Sequence, residues 1–275
     1  MIEFSHEVVD FAREQLGSAR EKTKSIKIQL DYATKTEKVW EDFVLFTSKK
    51  WFIHSLDLFD KQWPTLQKAA GANPGLLTIL DNARLAAKSG ADDVIRRYPA
   101  YLEESFREAR LPLDADSRHP RYTIERKFFL LEIDEKKRIA RLSDNEGRLV
   151  ELPADIGAIV ETVQREHKRI FGRSFKGIEF LRLIRMQYLA IIRKEKQIDG
   201  ASIPIRRITS RLGKNLKGFR TDEFLSDLSR LIEQGPFEID GRRLDLQQTK
   251  DTNQGMLLHT ASGRGYIGFV VFKEV

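Results

Sequence analysis

The sequence predicts a mostly helical α+β protein, with an N-terminal helical domain built on one long, coiled-coil-like helix and an α+β domain after it. Three observations carry this reading. A seven-residue apolar repeat runs through the first fifty residues; the texture turns to short alternating strands after residue 121; and helical patterns return beyond residue 153, followed by hairpin signals. The domains expected are 1–110, a linker at 111–121, and 122–275.

The repeat sets Val9, Leu16, Thr23, Leu30, Val44 and Trp51 in one register and Ala12, Ala19, Ile26, Ala33 and Trp40 in the other, with Ser5 as an N-cap and a lapse at Glu37. Such a stripe demands cover. The apolar segment from Trp51 to Leu66 offers an antiparallel partner within the chain, and a homodimer or another protein would cover residues 9–66 equally well. Trp63-Pro64 and the run Gly71-Ala72-Asn73-Pro74-Gly75 are read as breaks. Helices at about 75–89 and 92–110 follow, separated by Gly90, with Asp92 and Asp93 suited to a first helical turn.

Residues 111–121 hold two prolines and no periodicity, which suggests the linker. Strands are expected at Tyr122–Ile133, Arg138–Leu142 and Arg148–Leu152, joined by Asp134-Glu135-Lys136 and by Ser143 to Gly147. A helix from about Pro153 to Phe171 places Ile156, Ile159, Val160, Val163, His167 and Ile170 on one face, with Pro153 in its first turn. His167 on that face reads as a partly buried structural residue, since no nucleophile or paired carboxylate lies near it in sequence.

A helix is expected over about 178–196, and a short one over 204–212 with Ile205, Ile208 and Leu212 inward. A third runs from a Thr221 cap to Gln234, with Asp222 and Glu223 in its first turn. Phe237 to Leu246 then reads as a hairpin about Asp240-Gly241, with Phe237 and Leu244 facing each other. A last hairpin joins Met256–Thr260 to Tyr266–Phe272 through Ser262-Gly263-Arg264-Gly265, and its run Phe269–Phe272 suits a strand covered on both faces. The order helix, short helix, helix, hairpin over residues 178–250 resembles the winged-helix variant of the helix-turn-helix. That resemblance lies in element order and in no signature motif.

Charge is the strongest functional signal. Residues 165–220 carry 16 Lys and Arg against only Glu166, Glu179, Glu195 and Asp199, a local +12 in a chain whose total is +7. Such a pole attracts polyanions. Arg182, Arg185, Arg193 and Lys196 fall within one narrow stripe of their helix, without interleaved acids. Arg206, Arg207 and Arg211 point outward from the short helix, and Arg242 and Arg243 sit beside the hairpin turn. Gly172-Arg-Ser-Phe-Lys-Gly177 and Gly213-Lys-Asn-Leu-Lys-Gly218 share one form and read as two anion-binding loops, although neither has the Gly-Lys-Ser/Thr ending of a nucleotide P-loop. The candidate nucleic-acid-binding set is therefore Arg169, Arg173, Lys176, Arg182, Arg185, Arg193, Lys196, Arg206, Arg207, Arg211, Lys214, Lys217, Arg220, Arg242 and Arg243. The 221–234 helix is acidic, so contacts from it to phosphates are not expected.

The function expected is non-enzymatic binding of nucleic acid, duplex DNA before RNA, with the N-terminal helices mediating association. An adaptor that uses the same modules for protein contacts is the alternative. Five scattered histidines and no cysteine leave no metal-ligand spacing and no disulfide, so neither metal nor cofactor is expected. His259, Thr260 and Ser262 near Arg264 lack the acid partner a catalytic site needs. No apolar run approaches the roughly 18 residues of a membrane span and the N-terminus has no signal-peptide pattern, so a cytoplasmic location is expected.

Overall fold

The computed structural model describes residues 5–71, 73–260 and 263–275. The fold is α+β and mostly α, and the chain divides between Tyr98 and Pro99 into two compact units. None of the described helices is long and apolar enough to cross a membrane.

The first unit contains α1 (His6–Ser48), α2 (Phe52–Ala70) and α3 (Pro74–Arg96). The long helix and its antiparallel intrachain partner are as the sequence suggests, and Ser5 holds the N-cap position, though its side chain makes no capping bond. The buried face differs. Only the last third of α1 is covered, through Val39 with Trp40, Phe43 and Phe46, against Leu58, Phe59, Leu66, Leu80 and Ala87. Edge-to-face ring contacts run from Trp40 to Phe43 (5.8 Å), Phe43 to Phe59 (5.6 Å) and Phe59 to Trp63 (5.9 Å). Of the heptad seam, Trp40 joins this cluster while Val44 stays 64 % exposed.

Two expected breaks are absent. Pro64 lies inside α2; its missing N–H strands the carbonyl of Asp60, an exposed residue whose backbone water can solvate. α3 runs unbroken through Gly90 and ends at Arg96. The glycine is there for packing, because a Cβ at position 90 would meet the Phe52 ring at 2.7 Å. The break before α3 is real: the Asn73 side chain accepts from the N–H groups of Gly75 and Leu76 at 3.0 and 3.4 Å. Ala72, within that turn, lies outside the described residues.

The second unit opens with α4 (Tyr98–Glu108) and a four-stranded antiparallel meander, β1 (Arg121–Ile124), β2 (Phe129–Asp134), β3 (Ile139–Ser143) and β4 (Arg148–Pro153). Residues 111–121, read as a linker, are folded onto this sheet. Leu113 bridges to Ile124, and the Ser117 hydroxyl donates to the carbonyl of Thr123 and accepts from its N–H. Asp114 explains why the single strand expected at 122–133 is two. Its carboxylate accepts from the N–H groups of Arg126 and Lys127 at 2.9 and 2.7 Å, and holds Glu125, Arg126 and Lys127 in left-handed conformation, φ 55°, 55° and 67°. Pro153 ends β4 and does not start the next helix, which is α5 (Ile156–Phe171).

Beyond it come α6 (Gly177–Glu195), β5 (Ile203–Pro204), α7 (Ile205–Asn215), α8 (Thr221–Gln234), β6 (Glu238–Ile239), β7 (Arg242–Gln248), β8 (Met256–Thr260) and β9 (Gly263–Glu274). Arg220, not Thr221, occupies the N-cap of α8. The sheet order is β5-β9-β7-β6, with β8 also paired to β9. The hairpin at Asp240-Gly241 is as expected: both turn residues have positive φ (53° and 68°), and the Leu244 N–H donates to the Phe237 carbonyl at 2.7 Å. Val270, Val271 and Phe272 are buried on both faces of β9. Leu181, Ile184, Tyr188, Ile208, Leu212, Phe224, Leu228 and Leu231 bring the three helices onto that sheet as one core. Ser262 lies outside the described residues.

Candidate nucleic-acid interface

The cations of residues 165–220 do not form one open pole, because the fold sets acids beside half of them. Arg169 on α5 bonds Glu166 on its own helix and reaches α8, where it bonds Asp222 at 2.5 Å and Glu223 at 2.6 Å. Arg173 bonds Asp227 at 3.0 Å and lies 3.4 Å from Glu223, and Arg220 bonds Asp222 at 3.0 Å. Burial works against the charge of Arg169, yet its hydrogen bonds to Asp222 and Glu223 hold it above its ordinary value. Burial likewise raises Asp222, but bonds from Arg169 and Arg220 outweigh it and leave the carboxyl below its usual range. At Asp227 burial prevails over Arg173, and the carboxyl is raised.

Arg185 is the clearest departure from the sequence stripe. Its side chain is only 6 % exposed and makes a two-pronged pair with Asp199, one prong at 2.7 Å, with the guanidinium 4.8 Å from the Phe272 ring centre. The hydrogen bond from Arg185 holds Asp199 below the ordinary carboxylate value. Lys196, in left-handed conformation at φ 55°, turns the chain at the end of α6, and Asp199 follows three residues later. Arg206 bonds Glu146 of the β3–β4 turn and the Gly255 carbonyl, Arg207 pairs with Glu195, and Arg211 donates to the Gln187 side chain at 3.0 Å. Arg242 lies between Asp199 and Glu274, and Lys176 bonds Glu179 on the surface.

What remains open is smaller. Arg182, Arg193 and Lys196 of the candidate stripe are exposed, as are Lys214 and Lys217 at the α7–α8 connection and Arg243 on β7, and among the described residues none of these makes an ion pair. Lys194, missed in the sequence reading, joins them; its place in the last turn of α6 beside Arg193 was the available signal. Arg211 to Gln187 and Arg207 to Glu195 run α6 and α7 in opposite directions, so the α7 end that carries Lys214 heads back toward the Arg182 end of α6.

The two anion-loop readings fare unequally. In Gly172–Gly177, Arg173 and Lys176 are both paired with acids, and the Cα of Gly177 is packed against the Gly235 carbonyl and Pro236, so no open cradle forms. In Gly213–Gly218, Gly213 belongs to α7, and Gly218 alone takes a left-handed conformation, φ 79°; its lysines are exposed. α8 presents no open face: Asp222, Phe224, Leu225, Ser226, Leu228, Ser229 and Leu231 are buried, and Glu233 and Gln234 at its end are its exposed residues.

A carboxylate–histidine contact that the sequence did not announce joins His167 to Glu125 at 2.7 Å, 42 residues away. The bond from His167 lowers the Glu125 carboxyl. His259 is held between the Arg126 carbonyl at 3.1 Å and Asn145 at 2.9 Å, and burial lowers its proton affinity. Both imidazoles are thus tied by hydrogen bonds into the junction of meander and helices. No known protein family, curated protein or solved structure matches this chain.

Proposed function

We propose that this chain is a non-enzymatic protein that binds the phosphate backbone of nucleic acid, duplex DNA first, through the exposed cations of α6 and the α7–α8 connection. The observation that supports this reading is the set Arg182, Arg193, Lys194, Lys196, Lys214 and Lys217, all exposed and unpaired within a stretch whose acids are spent on other cations. Phosphate contacts by six cations give log K a slope of about −5 against log salt. The element order α6-β5-α7-α8 with strands in the order β5-β9-β7 supports a winged-helix-like module. Its third helix is buried in ion pairs, so base reading in the manner of that fold has no exposed face here, and binding is expected to be weakly sequence-selective.

Fluorescence anisotropy of labelled duplex, single-stranded DNA and RNA at two salt concentrations tests the proposal. The variant Arg182→Glu/Arg193→Glu/Lys196→Glu, which leaves every ion pair described above intact, is expected to lose duplex binding at least thirtyfold and to keep its far-UV circular dichroism. Unchanged affinity in that folded variant rejects the surface. The adaptor reading is favoured by a different observation, the burial of α8 together with the uncovered stripe of α1; absence of binding to all three nucleic acids moves it to first place.

A further inference from the structure

The strongest unassigned feature is the N-terminal two thirds of α1, which lies on the first compact unit and is independent of the cations of α6. Every described residue from Ser5 to Lys35 is exposed, among them Val9, Leu16, Ile26 and Leu30, the last two at 64 and 63 %. A lone helix of this kind is marginal in water and gains its stability from a partner along its apolar face. At 100° per residue, the seam of Val9, Ala12, Leu16, Ala19, Thr23, Ile26, Leu30 and Ala33 lies roughly 170° around the helix from the Tyr32, Val39, Phe43 and Phe46 side. Of that second side, Val39, Phe43 and Phe46 pack in the core cluster that α1 forms with α2, and Tyr32 lies under the Lys68 ammonium at 4.2 Å. The intrachain hairpin therefore leaves the seam uncovered, and the seam is about 37 Å long.

The charges beside the seam say what fits it. Arg13, Arg20 and Lys27 follow one edge and Lys22 the other, and no acid stands on either edge between residues 8 and 36. The acids of this stretch, Glu7, Asp10, Glu14, Glu21 and Asp31, lie on the remote side; among the described residues, the ion pair that crosses between edge and remote side is Arg13 to Asp10, a loose contact of 3.5 Å between exposed groups. A second copy of α1 is a poor partner in either direction. Parallel pairing sets Lys22 opposite Lys27 of the other copy, and antiparallel pairing sets the Arg13, Arg20 and Lys27 edge against itself. The narrow Ala- and Thr-containing seam suits the close approach of a helix better than the broad apolar face by which helices lie on membranes.

We propose that the Val9–Ala33 face of α1 docks an amphipathic helix of another protein whose seam is flanked by acidic residues, forming a two-helix coiled coil. The probe is a labelled synthetic peptide of about four heptads, with Ile and Leu at its seam positions and Glu along both edges, compared with the same peptide carrying Lys along the edges. Titrated against the full chain in anisotropy measurements, the Glu peptide is expected to bind at least tenfold tighter than the Lys peptide. Arg13→Glu/Arg20→Glu/Lys22→Glu/Lys27→Glu should reverse that preference, and Leu16→Asp/Ile26→Asp should abolish binding of both. All these positions are exposed, so the buried cluster around Phe59 is untouched. Equal binding of the two peptides, or no binding, overturns the proposal. So does sedimentation of the chain as a dimer that Leu16→Asp/Ile26→Asp dissociates, which would make a second copy the occupant. Binding to anionic vesicles lost in the same variant would make it a lipid surface.

Discussion

Arg185 and Asp199 illustrate how a charged residue changes meaning once its partner is known. On the helical wheel Arg185 belongs with Arg182, Arg193 and Lys196, because spacing along one helix is all that a sequence exposes. The carboxylate that removes it from the surface comes from the turn after the helix, and nothing in local spacing reports that return. The same holds for Arg206 with Glu146 and Arg169 with Asp222, 60 and 53 residues apart. Positions with no acid brought to them, such as Arg182 and Lys214, kept the exposure that the sequence assigned. The asymmetry of the Arg185–Asp199 pair has a measurable outcome. Asp199→Ala leaves a guanidinium buried without its counter-charge and is expected to cost about 3 kcal/mol in urea unfolding. Arg185→Met leaves a more exposed carboxylate still near Arg242 and is expected to cost about 1 kcal/mol. Because the folded Asp199 carboxyl is lowered, its contribution is complete above the ordinary value of 3.8 and fades as pH falls through the folded value. Asp199→Ala should therefore flatten the acid limb of the stability curve below about pH 4 and leave its neutral-to-alkaline shape unchanged.

Elements were legible where periodicity was long and where a turn had its own chemistry. The 43-residue α1 and the Asp240-Gly241 hairpin are of this kind. Glycine and proline misled where tertiary packing set the rule. Gly90 interrupts nothing; it lets α3 pass against Phe52 at a distance that no side chain tolerates. Gly90→Ala sets a gain in helix propensity of about 1 kcal/mol against an overpacking cost of 1–3 kcal/mol. The net expectation is a loss of about 1 kcal/mol in thermal unfolding followed by circular dichroism, relieved when Phe52→Leu is added. A stabilised single variant would mean that the ring yields freely. The strand expected across 122–133 failed for a similar reason, since Asp114, outside that segment, supplies the acceptor that makes a turn of Glu125 to Lys127.

At the scale of the whole molecule, the two units differ in how well their surfaces are used. In the first, every residue of the stretch from Ser5 to Lys35 is exposed, with Lys68 of α2 reaching only as far as Tyr32, while Val39, Phe43 and Phe46 are packed. Limited trypsin digestion is expected to cut first at Arg13, Arg20, Lys22, Lys24, Lys27 or Lys35, and mass spectrometry should find a resistant product that begins near Lys38. Early cuts within residues 121–260 instead would show that the sheet unit opens more readily than the bare helix. In the second unit, Tyr188, Ile208, Leu228 and Phe272 meet in one core whose residues come from α6, α7, α8 and β9.

β9 gives that core its order of assembly. It is hydrogen-bonded to β5, β7 and β8, and each of these precedes it along the chain, β5 by some sixty residues. A ribosome therefore delivers α6, α7 and α8 long before the strand on which they pack. The three helices can meet one another early, as Phe180 meets Phe224, but the residues that they turn to the sheet gain their cover only when Val270 and Phe272 emerge, whereas the α1–α2–α3 bundle can form as it leaves the exit tunnel.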